Sequence, residues 1–186
     1  MIPLTKLTGR LGNQMFQHAY IYARMRDGII PDVYVQNPSY FEKYADEIKL
    51  LYGQNITPIN QVAIHVRRGD YVNNPFYVDL TNTMYYDEAI KLFPEGTNFL
   101  VFSDDQEYAK DMFTGEQYEF SEGRNEIDDF NLMSGCEGHI IANSSYSYWA
   151  AYVSPYTKKV VCPDYDKWYS DGSKTRTVTP NHWVHI

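Results

Sequence analysis

The sequence predicts an α/β fold built on a parallel sheet. Short apolar, β-branched runs of strand length recur from residue 62 onward, and segments with helical periodicity separate them. Strands that alternate with helices form right-handed βαβ units, whose strands lie parallel in one sheet. The composition agrees with a globular chain, since 44% of the 186 residues are hydrophobic and 22% are charged. That length suits one well-buried domain, or one domain plus a fragment.

The elements follow one another in a regular order from residue 61. Strands are predicted at 62–66, 99–103, 139–142 and 160–162, with a short edge strand at 117–120. Helices are predicted at 11–26, 40–52, 83–93, 105–113, 128–134 and 145–153. Residues 27–39 are expected to form a loop with a short extended piece, and residues 53–60 a linker.

Polar side chains follow three of the predicted strands. They are His65, Arg67, Arg68 and Asp70 after the first strand, Ser103, Asp104 and Asp105 after the second, and Asn143, Ser144 and Ser145 after the third. Open α/β sheets bind ligands outside the carboxyl ends of their strands. We therefore expect all three clusters at one edge of the sheet, around a binding site.

The adjacent pair Arg67-Arg68 points to an anionic ligand. Guanidinium groups offer fixed pairs of donors that match phosphate oxygens, and Gly69 permits a tight turn with a close backbone approach. The net charge of −8 and the lack of a Lys/Arg run disfavour nucleic acid as the partner. Asp70 could orient one of the arginines for this role. The alternative is that both arginines form surface ion pairs with some of the 24 acidic residues.

The remaining polar clusters allow two interpretations each. Ser144 and Ser145 could bond a phosphate at a helix N-terminus or only cap that helix. Asp104 and Asp105 could hold a metal, although capping of helix 105–113 is the simpler interpretation. Asp128-Asp129 could cap the next helix or accept the N–H groups of guanine.

Cys136 and Cys162 lack metal-ligand spacing and predict buried, reduced thiols in a reducing compartment. No apolar run approaches the roughly 20 residues of a membrane span, and no N-terminal signal stands out. These features predict a soluble, cytoplasmic protein without a transmembrane segment.

Six segments together resemble the α-1,2-fucosyltransferases of glycosyltransferase family 11. In chain order they are GRLGNQMFQHA (9–19), HVRRGDY (65–71), VFSDD (101–105), DDFNLMSGC (128–136), IIANSSYSYWAAY (140–152) and VVCPDYDKWY (160–169). The resemblance implies a GT-B-type glycosyltransferase with two facing Rossmann-like domains. It also implies an inverting transfer of L-fucose from GDP-β-L-fucose to a sugar hydroxyl of a glycan acceptor, in α-1,2 linkage, without a metal or other cofactor.

The resemblance also implies roles for individual residues. Arg67 and Arg68 would bind the diphosphate, with His65 and Asp70 shaping the loop, while Asp129 would contact guanine. The full set implied for the donor is Gly12, Asn13, His65, Arg67, Arg68, Asp104, Asp129, Asn143, Ser144 and Ser145. Arg67 would stabilise the leaving diphosphate, and Asp70 and His18 are the candidates for the catalytic base.

The N-terminal part is much shorter than the family pattern requires. We divide the chain into a reduced acceptor-side segment (1–60), a largely intact Rossmann-like domain that binds the GDP-sugar (61–170) and a C-terminal tail (171–186). Residues 1–52 should pack on the sheet domain or on a second copy of the chain in a homodimer. The alternative to an active transferase is a non-catalytic or decayed module that binds a GDP-sugar.

Overall fold

The fold is a single parallel sheet of six strands. The computed structural model describes residues 7, 9–27, 36–54, 56–122, 125–172 and 179–186. The strands are β1 (Ile59–Val66), β2 (Phe99–Ser103), β3 (Tyr118–Phe120), β4 (Cys136–Ile140), β5 (Lys159–Cys162) and β6 (Val184–His185). Their order across the sheet is β3-β2-β1-β4-β5-β6, and every neighbouring pair is parallel.

In the described ranges, one α-helix lies between each pair of successive strands from β1 to β5, as the alternation predicted, and two more precede β1. They are α1 (Leu11–Arg26), α2 (Ala45–Tyr52), α3 (Tyr85–Ile90), α4 (Gln106–Met112), α5 (Glu126–Ser134) and α6 (Ser145–Val153). The strand order runs outward from β1 to β3 and then returns to place β4 on the other side of β1. Such a reversal opens a crevice at the carboxyl ends of the two central strands, which is where doubly wound sheets bind ligands.

The predicted strands and helices are present, but several bounds differ. The strand predicted at 139–142 is β4, which covers Cys136–Ile140 and ends before residue 141. β1 begins at Ile59, inside the predicted linker, and the helix predicted at 40–52 is a regular α-helix only from Ala45. Short 3₁₀ turns at Pro38–Tyr40 and Glu42–Tyr44 precede it. Strand β6 was missed because two residues carry no periodicity. Of the loop predicted at 27–39, residues 28–35 lie outside the described part of the chain.

The N-terminal segment packs directly on the sheet domain. Phe16 of α1 and Phe41 share one buried cluster with Trp149 of α6, and their rings lie 5.0 and 5.5 Å from the Trp149 ring. Burial of a large aromatic side chain contributes about 2–3 kcal/mol. This packing confirms the intramolecular form of the prediction for the described residues, whereas the homodimer and the domain boundaries stay predictions.

A second buried cluster lies on the other side of the sheet. It contains Ile64 and Val101 of the central strands together with Tyr85 and Tyr86 of α3. The Tyr86 hydroxyl donates to the backbone oxygen of His65 at 2.9 Å, so that its buried polar tip is satisfied. The two buried clusters cover both faces of the sheet. The carboxyl edge of the strands is therefore the part of the sheet where a ligand can bind. No helix in the described ranges has both the length and the apolar character that crossing a bilayer requires.

Candidate functional site

A cleft of about 800 Å³ lies at the carboxyl edge of the sheet. Its lining includes most of the residues that the sequence predicted for a site, namely Gly12, Asn13, His65, Arg67, Asp70, Asp104, Asp129, Asn143, Ser144 and Ser145. Two predicted residues, Arg68 and His18, are not in that lining. The three polar clusters after β1, β2 and β4 therefore meet at one site, as the topology rule predicted.

Arg67 lies in the centre of this cleft. Its Nη1 donates to Asp104 Oδ2 at 2.5 Å, and its Nη2 pairs with Asp70 Oδ1. The Arg67 side chain is only 11% exposed, whereas the Asp70 side chain is 53% exposed. The Arg67 guanidinium is thus held at the cleft surface by Asp104, whose side chain is 28% exposed, and by the more exposed Asp70.

Asp104 organises the turn that carries Arg67. Its Oδ1 accepts the backbone N–H groups of Arg68 at 2.9 Å and Gly69 at 3.2 Å, in addition to the Arg67 bond on Oδ2. A Cβ atom at position 69 would collide with Asp104 Oδ2, which is the physical reason for glycine there. Asp104 positions the loop rather than presenting a free carboxylate.

Arg68 faces away from the cleft and packs on α4. Its guanidinium carbon lies 3.4 Å from the centre of the Tyr108 ring, and its Nε donates to Asp105 Oδ2 at 3.2 Å. Nη1 donates to Thr81 Oγ1 at 2.9 Å. Asp105 also caps α4 by accepting the Tyr108 N–H at 3.2 Å, which agrees with the capping interpretation. The diphosphate role of Arg68 stays a prediction.

The N-termini of α1 and α6 meet in the cleft. A Cβ at Gly12 would come within 2.5 Å of the Tyr146 backbone nitrogen, so only glycine permits this approach. Ser145 Oγ donates to Asn13 Oδ1 at 2.8 Å, while Ser144 caps α6 through the Tyr146 N–H at 3.3 Å. Ser144, Ser145 and Tyr146 line the cleft, so the N-terminal end of α6, which favours an anion, borders it.

His65 is a buried, neutral support beneath the cleft. Its Nδ1 lies 2.9 Å from Ser147 Oγ on α6. Burial, together with the charge of Arg67, lowers the pKa of His65 to about 3. An uncharged imidazole joins β1 to α6 without adding a cation below the arginine.

Asn143 joins three loops at the cleft floor. Its Nδ2 donates to the backbone oxygens of Val78 at 2.8 Å and Trp168 at 3.1 Å, and its own backbone oxygen accepts the Tyr71 hydroxyl at 3.1 Å. The side chain is buried, so these bonds satisfy it fully within the protein. Its observed role is to position the loops that follow β1, β4 and β5.

Asp129 lies at the β3 end of the cleft, in the first turn of α5. Its Oδ1 accepts the Ser121 hydroxyl at 2.5 Å. Asn125 caps this helix by accepting the N–H groups of Ile127 and Asp128, so the capping predicted for the aspartate pair belongs to Asn125 instead. Asp129 is therefore not needed as the cap and faces the cleft.

His18 lies on another face of α1. Its Nδ1 is hydrogen bonded to the Tyr52 hydroxyl, and burial lowers its pKa. Five residues separate it from Asn13, a rotation of about 140° around a helix with 3.6 residues per turn. The structure thus places Asn13 in the cleft and His18 against α2, while the base role of His18 is untested.

Two kinds of lining residue were missed by sequence reasoning. Arg10 lines the cleft, is exposed, and makes no ion pair with any residue in the described ranges. Its position in the glycine-containing turn before α1 was the available signal. Four aromatic residues, Tyr71, Tyr77, Trp168 and Tyr169, also line the cleft. Nothing in their spacing distinguished them from the other aromatic residues of the sequence, which include 18 tyrosines and 3 tryptophans in total.

Comparison with known proteins agrees with this geometry. The family model described as "Glycosyl transferase family 11" matches residues 40–186. The O-antigen biosynthesis glycosyltransferase WbnK of Escherichia coli is 31% identical over 68% of this chain and 45% of its own length. An alpha-1,2-colitosyltransferase of Escherichia coli is 30% identical over 81% of this chain and 60% of its own length.

A galactoside alpha-(1,2)-fucosyltransferase 1 of Saimiri boliviensis boliviensis is 30% identical over 52% of this chain and 30% of its own length. The chain therefore spans less than two thirds of each of these relatives. Comparison with the solved structures found no match. The family match covers most of the chain, including all three polar clusters after the strands, and the chain therefore belongs to glycosyltransferase family 11.

Proposed function

We propose that the chain binds GDP-β-L-fucose, or a GDP-linked 6-deoxy sugar of the same kind, and transfers the sugar to a glycan hydroxyl in α-1,2 linkage. The observation that carries the proposal is the convergence of Arg67, Arg10 and the N-terminus of α6 on one cleft at the switch point of the sheet. Relatives named for fucosyl and colitosyl transfer support the sugar class.

The diphosphate lies between Arg67 and the first turn of α6 in this proposal. Arg67 provides a fixed pair of donors, and Ser144 and Ser145 at the N-terminus of α6 line the same cleft. Arg10 adds a cation that is not committed to a carboxylate in the described chain. Electrostatic groups aimed at the charge that develops on a leaving phosphate each contribute a few kcal/mol to catalysis.

The guanine base extends toward the β3 end of the cleft. Asp129 is the carboxylate there that the N-cap of α5 does not use. A carboxylate can accept the two N–H groups on the Watson–Crick edge of guanine, which adenine and uracil do not offer in the same pattern. Asp129 would therefore select GDP over ADP and UDP.

Asp70 is the best-placed candidate base. A phosphate on Arg67 would compete with its two carboxylate partners, of which Asp104 is also held by two loop amides. The half-exposed Asp70 is thus the partner that would move. It would then take the proton of the acceptor hydroxyl while that oxygen bonds to C1 of the sugar, the C1–O bond to the β-phosphate breaks, and GDP leaves.

Metal independence is part of the proposal. Asp104 is committed to Arg67 and the loop amides, and Asp105 to Arg68 and the cap of α4. Neither carboxylate is free to hold a cation beside the diphosphate. Arginine and helix amides would supply the positive charge that a metal supplies in other glycosyl transfers.

A non-catalytic GDP-sugar-binding module is the second candidate. The observation that favours it is that Asp70 and Asp104, the carboxylates beside Arg67, are both paired with its guanidinium, and a carboxylate in such a pair is a poor base. Donor binding requires the sheet domain, whereas transfer also requires a second wall for the acceptor. The two candidates agree on GDP binding and differ only in turnover.

The test is an assay with GDP-fucose and a panel of galactosides in the presence of EDTA, followed by mass spectrometry of the products. Transfer is expected with at least one galactoside, and its linkage is then determined by NMR. GDP binding without transfer or hydrolysis would select the binding module. Absence of GDP binding would overturn both candidates, and activity only after addition of Mg²⁺ or Mn²⁺ would overturn metal independence.

A further inference from the structure

A second carboxylate lies beside Asp129 in the cleft. Glu126 is the first residue of α5, three positions before Asp129, and both residues line the cleft. Residues three apart on a helix lie on the same face. A carboxylate repels a diphosphate. A favourable role for Glu126 toward this ligand therefore requires an uncharged part of the ligand that donates hydrogen bonds.

Contacts with α1 and α6 fix the place of Glu126. Its Oε1 accepts the backbone N–H of Leu11, the first residue of α1, at 3.3 Å. Its backbone oxygen accepts the hydroxyl of Tyr146, in the first turn of α6, at 2.7 Å. The Tyr146 ring in turn packs against that of Phe130 on α5, with ring centres 5.8 Å apart. The N-terminal ends of α1, α5 and α6 therefore meet at Glu126.

The Glu126 carboxylate keeps acceptor capacity for a ligand. Its side chain is exposed, and Oε2 has no hydrogen-bond or ion-pair partner among the described residues. Arg10 lines the same cleft but forms no ion pair with it. An ionised carboxylate only accepts hydrogen bonds, so the group that it can bind is a donor such as a hydroxyl.

Glu126 lies between the proposed positions of the base and the diphosphate. Asp129, the proposed guanine partner, is bonded to Ser121 just after the edge strand β3. From Asp129 to Glu126 the helix axis advances by about 4.5 Å toward the N-terminal ends of α1 and α6. The diphosphate is proposed to bind at that end of α6. Because the ribose joins the base to the phosphates in a nucleoside diphosphate, its hydroxyls lie within the stretch that Glu126 borders.

We propose that Glu126 accepts hydrogen bonds from the ribose hydroxyls of GDP and thereby selects the ribonucleotide over the 2′-deoxyribonucleotide. This inference rests on the proposed GDP binding and adds a specificity-determining residue to that site. The two adjacent hydroxyls of a ribose match the two oxygens of a carboxylate, and hydrogen bonds to an ionised acceptor are stronger than those between neutral groups. One face of α5 would then read both the base, through Asp129, and the sugar, through Glu126.

The test compares the binding of GDP, 2′-deoxy-GDP and ADP by calorimetry, with circular dichroism as the check on folding. Glu126→Ala removes both carboxylate oxygens, whereas Glu126→Gln keeps one oxygen as an acceptor. Asp129→Asn changes the proposed base contact and leaves Glu126 intact. Glu116→Ala is the matched control, because Glu116 is also exposed but lies outside the cleft lining.

The native chain should bind GDP about tenfold more tightly than 2′-deoxy-GDP, since a hydrogen bond to a charged group contributes more than one between neutral groups. Glu126→Ala should make these two affinities nearly equal, and Glu126→Gln should give an intermediate ratio. Both variants should keep the preference for GDP over ADP. Asp129→Asn should lose that preference and keep the preference for ribose, while Glu116→Ala should keep both.

The ratio of the two affinities separates ligand contact from a structural role. If Glu126 only holds α1 through Leu11, Glu126→Ala will weaken GDP and 2′-deoxy-GDP by the same factor, and the inference is wrong while GDP binding stands. Equal binding of both nucleotides by the native chain would also overturn it. Loss of the GDP-over-ADP preference in Glu126→Ala, with the ribose preference intact, would assign Glu126 to the base instead. A native chain that binds no GDP would overturn the proposed function itself.

Discussion

Arg67 and Arg68 are neighbours in the chain, but they belong to two different regions of the molecule. Arg67 faces the cleft and pairs with Asp70 and Asp104. Arg68 faces the outer side of the loop, where it lies on the Tyr108 ring and bonds to Asp105. Their side chains are similarly exposed, at 11% and 14%. Exposure alone therefore does not tell which arginine lies in the cleft and which packs on the outer side of the loop.

The two arginine side chains point in different directions because of the backbone conformation that follows β1. β1 ends at Val66, and Arg68 has φ −125° and ψ −70°, so the backbone leaves the extended conformation between the two arginine side chains. Asp104 holds that backbone through the N–H groups of Arg68 and Gly69. Arg67 therefore lines the cleft, whereas Arg68 packs on the Tyr108 ring and bonds to Asp105.

The largest expected effect is at Arg67. Arg67→Ala should weaken GDP binding about 10- to 100-fold, because charge-assisted hydrogen bonds contribute about 1.5–3 kcal/mol each and Asp70 and Asp104 would lose their partner. Arg67→Lys should lose about tenfold or less, since lysine keeps the charge without the planar pair of donors. Calorimetry with GDP provides the measurement. Native affinity in Arg67→Ala would mean that the cleft-facing arginine is structural.

Arg68→Ala should act on stability before affinity. It removes a cation–π contact and the bonds to Asp105 and Thr81, so the free energy of unfolding should fall by about 1–3 kcal/mol. GDP affinity should fall less than in Arg67→Ala at a temperature where both variants are folded. Chemical denaturation and GDP titration of the same samples provide the comparison. An affinity loss equal to that of Arg67→Ala with native stability would place Arg68 on the ligand.

Gly12→Ala tests whether α1 belongs to the binding region. A Cβ at this position would press on the α6 backbone near Tyr146, an overpacking that costs about 1–3 kcal/mol. The expected result is a lower unfolding midpoint together with weaker GDP binding, because Asn13 and the first turn of α6 would shift. Hydrogen exchange of α1 measures the displacement. A stable variant with native GDP affinity would separate α1 from the cleft.

The smallest effect concerns pH and the buried histidines. Burial lowers the pKa of His65 to about 3 and that of His139 to about 4, from 6.5. The unfolded chain therefore binds more protons below pH 6.5, and stability that is full above this pH declines as the pH falls, by at most about 1.4 kcal/mol per unit for each histidine. Denaturation at pH 7, 6 and 5 should show a shallower slope in His139→Gln than in the native chain. The exposed His182→Gln is the control, and equal slopes in the native chain and His139→Gln would contradict the account.

The sheet was predictable from the sequence because its central strands are apolar, β-branched and bounded by polar clusters. VAIHV and FLVFS lie in β1 and β2, and the polar residues that follow them converge as the parallel-sheet rule requires. β6 was not predictable, since Val184–His185 becomes a strand only by pairing with Val161 and Cys162. Its existence depends on a tertiary contact rather than on local pattern.

The side-chain partners were less predictable than the site. The sequence placed Arg67, Asp104 and Ser145 at one edge, but it could not indicate that Asp104 holds the loop amides or that Asn13 bonds to Ser145. Those contacts join residues far apart in the chain, and they depend on how the loops approach one another. Arg10 and Tyr77 were missed for the same reason, because only the folded chain shows which side chains border the cleft.

Thermal unfolding of the native chain in EDTA with GDP, ADP or UDP tests the central claim most directly. If Arg67 and Asp129 form a guanosine-diphosphate site, GDP at 100 times its dissociation constant should add about 2.7 kcal/mol to the free energy of unfolding. ADP and UDP at the same concentration should add much less. Equal shifts with all three nucleotides would contradict the guanine assignment, and no shift with GDP would contradict the site itself.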